Sequence, residues 1–231
     1  MSRREEGKAD RRRRVVVAAR ELIRETGDTG LSMRAIAARA NVSLATPYNL
    51  FGSKRAIVMA VLDDVREFHE RFSSLRNVSA VDRIFKALAV MLSYHVEDQD
   101  FYRTLWASIF DMSSSTELRT ELLSPQGQAF WRMLIEAARD EGVFSKEVDI
   151  DLLLEQLNST FSAAMLAWVM GVYTIDELEP AMCYGFALLL SAAATDESRP
   201  RVWKRVLEFQ RRLARARKRT ETLEPARSNE A

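Results

Sequence analysis

Leu31-Ser32-Met33-Arg34-Ala35-Ile36-Ala37-Ala38-Arg39-Ala40-Asn41-Val42-Ser43-Leu44-Ala45-Thr46-Pro47-Tyr48-Asn49-Leu50-Phe51-Gly52-Ser53-Lys54-Arg55 decides the fold. Ser32 stands where an N-cap belongs, its oxygen free to accept a backbone N–H. Met33, Ile36, Ala37 and Ala40 then mark the buried side of a short helix. Asn41-Val42-Ser43 reads as a tight turn, because Asn tolerates the left-handed conformation that ends a helix. Ser43 is expected to cap a second short helix, Leu44–Phe51, which Gly52 closes. Ser53 caps a further helix, expected over about Lys54–Phe72, with Val58, Val61, Leu62, Val65, Phe68 and Phe72 as its apolar stripe. Two short helices joined by a tight turn form a helix-turn-helix. The second must enter the major groove, so it must be short and closely braced.

Upstream, Val15, Ala18, Ala19, Leu22 and Ile23 recur at helical spacing and predict a helix from about Ala9 to Glu25. It is broken by Thr26-Gly27-Asp28-Thr29-Gly30. Downstream, helices are expected near Val81–Glu97, Phe101–Asp111, Ser115–Leu123, Pro125–Glu141, Asp149–Val172, Asp176–Ala193 and Arg201–Lys218. No β-alternation and no internal repeat is found. Eight Gly and five Pro in 231 residues leave few turns and favour long helices. The fold class is therefore all-α. A three-helix DNA-binding head is joined by a long helix to a C-terminal helical domain. The expected division is a flexible basic arm at 1–10, a head at 11–56, a body at 57–219 and a disordered tail at 220–231.

Net charge is only +1, but it is unevenly spread. Residues 1–55 carry thirteen Lys/Arg against six Asp/Glu, 56–198 carry ten against twenty-three, and 199–231 carry eleven against four. A basic head and tail suit a polyanion, although solvated helix faces would look the same. The single Cys183 excludes an intrachain disulfide and fits a reducing cytoplasm. The Arg-rich N-terminus lacks the apolar core of a secretory signal, and apolar runs such as Phe161–Val172 are too short and too polar to cross a membrane. His69 and His95 have no Cys or acidic neighbours at metal-ligand spacing, and there is no Gly-rich phosphate loop or nucleophile elbow. No catalytic residue, metal or cofactor is expected, and the chain is not read as an enzyme.

The exposed face of the second short helix carries Ala45, Thr46, Tyr48 and Asn49, small or hydrogen-bonding groups suited to base edges and phosphates. Together with the cap, the turn, the Tyr and the exit Phe51-Gly52-Ser53-Lys54, the segment over about residues 12–62 resembles the DNA-binding domain of TetR-type repressors. That resemblance implies a homodimer on palindromic operator DNA, released when a small molecule enters a cavity in the body. It places Tyr48 and Lys54 at phosphate-contacting positions, Ser32 and Ser43 at caps that can also donate to phosphate, and Ala45 and Thr46 on the groove side. Arg34 falls where some members read guanine. Pro47 departs from the usual pattern but is tolerated in a first turn. Arg11–Arg14 could also touch DNA, or serve another role, since cations are disfavoured at a helix N-terminus.

The body is rich in aromatic and Met residues. Trp106, Phe110, Phe130, Met133, Phe161 and Met165 are candidates for the lining of a pocket for an apolar effector, although ordinary core has the same spacing. Asp149–Val172 and Asp176–Ala193 carry many small residues, among them Ser159, Ala163 and Gly185. The resemblance makes these two helices the dimer interface.

Overall fold

The structure is a computed structural model of the single chain and describes residues 3–27, 31–62, 78–111 and 125–227. It is all-helical: among the described residues the only β-pairing is an isolated bridge between Phe144 and Ala194. The chain divides into two compact units, Met1–Arg71 with Asp98–Leu123 and Phe72–Glu97 with Ser124–Ala231.

The first unit holds α1 (Arg3–Thr26), α2 (Met33–Arg39), α3 (Ala45–Phe51), α4 (Lys54–Leu62) and α6 (Gln99–Phe110). Its core is made by Val15, Ala18, Ala19 and Ile23 of α1, Ile36 and Ala37 of α2, Ile57, Val58 and Val61 of α4, and Phe101, Leu105 and Ile109 of α6. Each set repeats at three or four residues, so each helix turns one stripe inward. The sequence assigned α6 to the body; it clusters with the head instead. Its N-cap residue Asp98 shows why, since its carboxylate takes both Arg20, at 3.3 Å, and Arg24 of α1. The Arg20 guanidinium also lies 4.9 Å above the Phe101 ring.

The second unit holds α5 (Ala80–Glu97), α7 (Pro125–Asp140), α8 (Ile150–Val169), α9 (Ile175–Ala193) and α10 (Arg199–Arg227). Caps set its boundaries. Asp149 accepts from the N–H groups of Asp151 and Leu152 at 2.8 and 3.2 Å. At α9, Glu177 reaches back to the Thr174 N–H at 2.8 Å in a capping box. Val202, Val206, Phe209, Leu213 and Ala216 turn the buried face of α10 inward, and Phe209 meets Phe85 of α5 at 4.9 Å between ring centres. Arg205 of α10 holds Asp82 of α5 at 2.6 Å, which keeps that carboxyl below its ordinary range despite partial burial.

Both ends of the chain depart from the sequence expectation. Residues 3–10, expected as a flexible arm, belong to α1. Glu5 and Glu6 oppose the positive end of the helix dipole, and Asp10 pairs with Arg13 and Arg14 one turn on, at 3.0 and 3.2 Å. Residues 220–227, expected in a disordered tail, continue α10. The expected helix Ser115–Leu123, the second half of Lys54–Phe72 and His69 lie outside the described residues.

His95 is buried on α5, with Nδ1 at 3.1 Å from the Met91 carbonyl and its ring edge-on to Trp168. Burial pushes its imidazole pKa down to about 4. The folded unit therefore holds it neutral, while the unfolded chain protonates below about pH 6.5. This contribution is complete above that pH and is lost progressively as pH falls toward 4. The unfolding free energy should drop by roughly 2 kcal/mol between pH 7 and pH 5 on this account. Denaturant titrations of wild type and His95→Gln at both pH values check this, with a clearly smaller drop expected in the variant.

Candidate nucleic-acid interface

Local chemistry fixes the geometry of the head. Ser32 Oγ accepts the Ala35 N–H at 3.5 Å, which starts α2. Asn41 ends it at φ 52°, with the Asn41 N–H on Ala38 O at 3.1 Å and the Val42 N–H on Ala37 O at 3.0 Å. This pair of bonds is a Schellman motif, with Asn in the left-handed place usually held by glycine. It turns the chain sharply enough to aim α3 across α2.

α3 begins one residue later than expected. Ser43 does not cap it with its side chain: its carbonyl accepts the Thr46 N–H at 2.9 Å, while its Oγ bonds Thr46 Oγ1 at 2.9 Å. Pro47 is buried in the first turn of α3, where a missing N–H costs nothing. Gly52 ends α3 at φ 75°, and Ser53 Oγ takes the Ala56 N–H at 3.1 Å to start α4.

A brace for both helices comes from α1 and was not legible in the sequence. Arg12 reaches the Leu50 carbonyl at 3.3 Å and stacks 4.3 Å above the Phe51 ring. Arg14 donates to the carbonyls of Ala40 and Asn41, both at 3.2 Å. Two cations from one helix thus neutralise the exposed carbonyl ends of α2 and α3. Arg39 of α2 grips Glu25 of α1 at 2.7 Å, which holds the Glu25 carboxyl below its ordinary range. Within Arg11–Arg14, then, Arg12 and Arg14 brace the head and Arg13 pairs with Asp10; Arg11 is exposed.

The bracing leaves a set of groups facing solvent. Ser32, Arg34, Ser43, Ala45, Tyr48, Asn49 and Lys54 are exposed, and Thr46 is half-buried. Tyr48 is 51% exposed and Leu44 48%, high values for groups that packing would normally cover. An exposed phenol, amide, guanidinium, ammonium and hydroxyls on a short, rigidly held helix-turn-helix can donate to phosphates and read base edges. Among the described residues no group of three His, Cys, Asp or Glu could hold a metal.

Residues 15–61 match the family model described as bacterial regulatory proteins, tetR family. The head is a tetR-family head. The match covers α2, α3 and nearly all of α4, together with the part of α1 whose stripe builds the core. Proteins of the tetR family regulate transcription and are not enzymes. No curated protein matches the chain. Among solved structures, full-length TylP, a tetR regulator from Streptomyces fradiae, is similar at TM-score 0.65 and 19% identity, covering 90% of this chain and 94% of that one. FadR of Thermus thermophilus, a repressor in complex with lauroyl-CoA, is similar at TM-score 0.58 and 18% identity, covering 80% and 95%. NalD of Pseudomonas aeruginosa, secondary repressor of the MexAB-OprM multidrug efflux pump, is similar at 0.54 and 16%, covering 80% and 98%. At such identities the likeness is one of fold, and it extends through the second unit as well as the tetR-type head.

The six pocket candidates fall in both units. Trp106 is buried and Phe110 half-buried on α6 in the first, their rings stacked with centres 5.8 Å apart. In the second, Met165 is fully buried, Phe161 and Phe130 are half-buried, and Met133 is 50% exposed on α7. Cys183 is buried and its thiol is pushed up by burial, so it behaves as a small apolar group. No described helix is long and apolar enough to cross a membrane.

Proposed function

We propose that this chain is a cytoplasmic repressor that binds a palindromic operator as a homodimer and is released by a largely apolar small molecule. The observation that carries the DNA reading is the exposure of Arg34, Tyr48, Asn49 and Lys54 on a helix-turn-helix braced from behind by Arg12 and Arg14. In this reading Tyr48, Lys54, Ser32 and Ser43 hold phosphates. Arg34, Ala45, Thr46 and Asn49 face the groove. Tyr48→Ala or Lys54→Ala should weaken operator binding at least several-fold. Lys54→Ala should also flatten the log–log salt dependence by about 0.9, the share of one neutralised phosphate. Operator titrations at several salt concentrations measure both. Unchanged affinity in both variants, with an unchanged slope in Lys54→Ala, would overturn the assignment.

The dimer reading rests on a stripe that stays exposed among the described residues. Leu152, Gln156, Ser159, Ala163, Leu166 and Met170 of α8 and its C-cap are all exposed. They are spaced four and three residues apart, the repeat of a helix–helix seam. Leu188 and Ala192 of α9 are exposed as well. Small and apolar side chains in such a seam suit a second copy packed helix against helix.

The effector reading is supported by the inner face of α8. Phe161 and Met165 share that face with Asn158, whose Nδ2 is buried and meets no acceptor among the described residues. A buried donor without a partner is costly, and an apolar ligand bearing one acceptor would relieve it. The lauroyl-CoA bound by the similar FadR is of that broad kind, an apolar chain with a polar attachment. Trp106, Phe110, Phe130 and Met133 remain candidates for further lining on the same reading.

A further inference from the structure

The C-terminal half of α10 carries a strongly basic surface that the DNA-binding head does not explain. Arg211, Arg215, Lys218 and Arg219 are all exposed. Three neighbouring acids are engaged elsewhere: Glu179 holds Arg212 at 2.8 Å, Glu177 faces Arg217 at 4.0 Å, and Glu208 holds Arg205 at 2.6 Å; Glu221 is exposed just beyond the cluster. Among the described residues none of the four cations makes an ion pair or a hydrogen bond. Arg215, Lys218 and Arg219, with Thr222, border a shallow, open patch on one face of α10.

Local stability does not account for this arrangement. Like charges four residues apart on a helix repel, as Arg211, Arg215 and Arg219 do. The helix dipole rewards cations only in the last turn, whereas α10 runs on to Arg227, two turns beyond Arg219. The opposite face is anchored by Leu213 and Ala216, so the basic face is held in one orientation. Arg211, Arg215 and Arg219 advance about 6 Å per step along the axis, a row of guanidinium forks suited to successive phosphates. We propose that the C-terminal half of α10 is a second, sequence-independent site for the phosphate backbone of duplex DNA, separate from the recognition helix.

The test uses the full chain and a labelled duplex of random sequence, about 30 base pairs long, at several salt concentrations. The head is disabled by Tyr48→Ala with Lys54→Glu. The basic patch is neutralised by Arg215→Gln, Lys218→Gln and Arg219→Gln, all exposed positions, with circular dichroism confirming the fold. The head variant should still bind duplex, with a log–log salt slope of about −3. Adding the three Gln substitutions should lower that residual association constant at least tenfold and flatten the slope. No residual binding at low salt in the head variant would overturn the proposal, as would residual binding indifferent to the three substitutions. Retention of labelled poly-glutamate without retention of duplex would also overturn it, in favour of an acidic protein surface. Failure of the head reading looks different: the head substitutions would then leave specific operator binding unchanged.

Discussion

Ala163→Arg should convert the protein from a dimer to a folded monomer and cost at least about 100-fold in operator affinity. Ala163 is exposed in the middle of the α8 stripe, between Ser159 and Leu166. In a lone chain the new guanidinium simply enters water, so the fold should keep its stability. In a dimer built on that stripe it would be buried against the partner helix without a counter-ion, at a cost of several kcal/mol. Two heads bound to two half-sites act together, and linkage of this kind typically adds 10²–10⁴-fold to the affinity of one head. Losing the partner removes that gain although no DNA-facing residue has changed. Sedimentation together with operator titration separates the two effects. A variant that remains dimeric and binds as well as wild type would show that α8 is not the interface.

Gly185→Arg should fail for another reason, by unfolding the second unit. From sequence, Gly185 and Ala163 look alike, two small residues on two helices expected at the same interface. The structure distinguishes them. A Cβ built on Gly185 would stand 2.6 Å from Thr160 Cγ2 of α8, well inside any normal approach. Gly185 is therefore where α9 and α8 of one chain approach closely, and even Ala would force Thr160 or the helices themselves to shift. A long charged side chain would break this packing and bring charge toward a face shared with buried Phe186 and Met182. The expected loss is about 4 kcal/mol or more, near the total stability of many domains. Denaturant melts of Gly185→Ala and Gly185→Arg check this, with the destabilisation rising with side-chain size. A stable, folded Gly185→Arg monomer would contradict the close approach and return Gly185 to the dimer seam.

These two glycine and alanine positions mark the boundary of what the sequence reveals. Features governed by a few adjacent residues are legible. Ser32 and Ser53 cap the helices that follow them, Asn41 and Gly52 end those that precede them, and the apolar stripes of α1, α4 and α9 show their period directly. Features that depend on residues far apart in the chain are not. Arg12 and Arg14 read as a loose basic cluster, yet they reach carbonyls 38 and 26–27 residues away. Asp98 stands in no local sequence pattern, yet it ties α6 to α1 across more than 70 residues. Ser43 fails as a side-chain cap because Thr46 offers its hydroxyl a nearer partner. The extended ends of α1 and α10 carry no apolar stripe to read, and at α1 the pair Asp10–Arg14 links one turn to the next.

Among the candidate site residues, the exposure of the set proposed to face DNA was legible, because exposure and hydrogen-bonding capacity follow from local pattern. The effector lining was less so. An apolar residue facing a cavity and one facing another side chain have the same period, and Met133 and Met165 differ only in what lies opposite them. The buried Asn158 amide, absent from the expected lining, gives a signal that periodicity does not: a polar donor inside an apolar face without an acceptor.

The central claim is that two braced heads read duplex DNA together. Selection of bound sequences from a random duplex pool by the full-length protein tests it most directly. The account predicts enrichment of an inverted repeat whose half-site centres lie one helical turn apart, about 34–36 Å, or a multiple of it, with enrichment abolished by Tyr48→Ala combined with Lys54→Ala. Enrichment of no sequence, or of a single half-site unaffected by those substitutions, would contradict it.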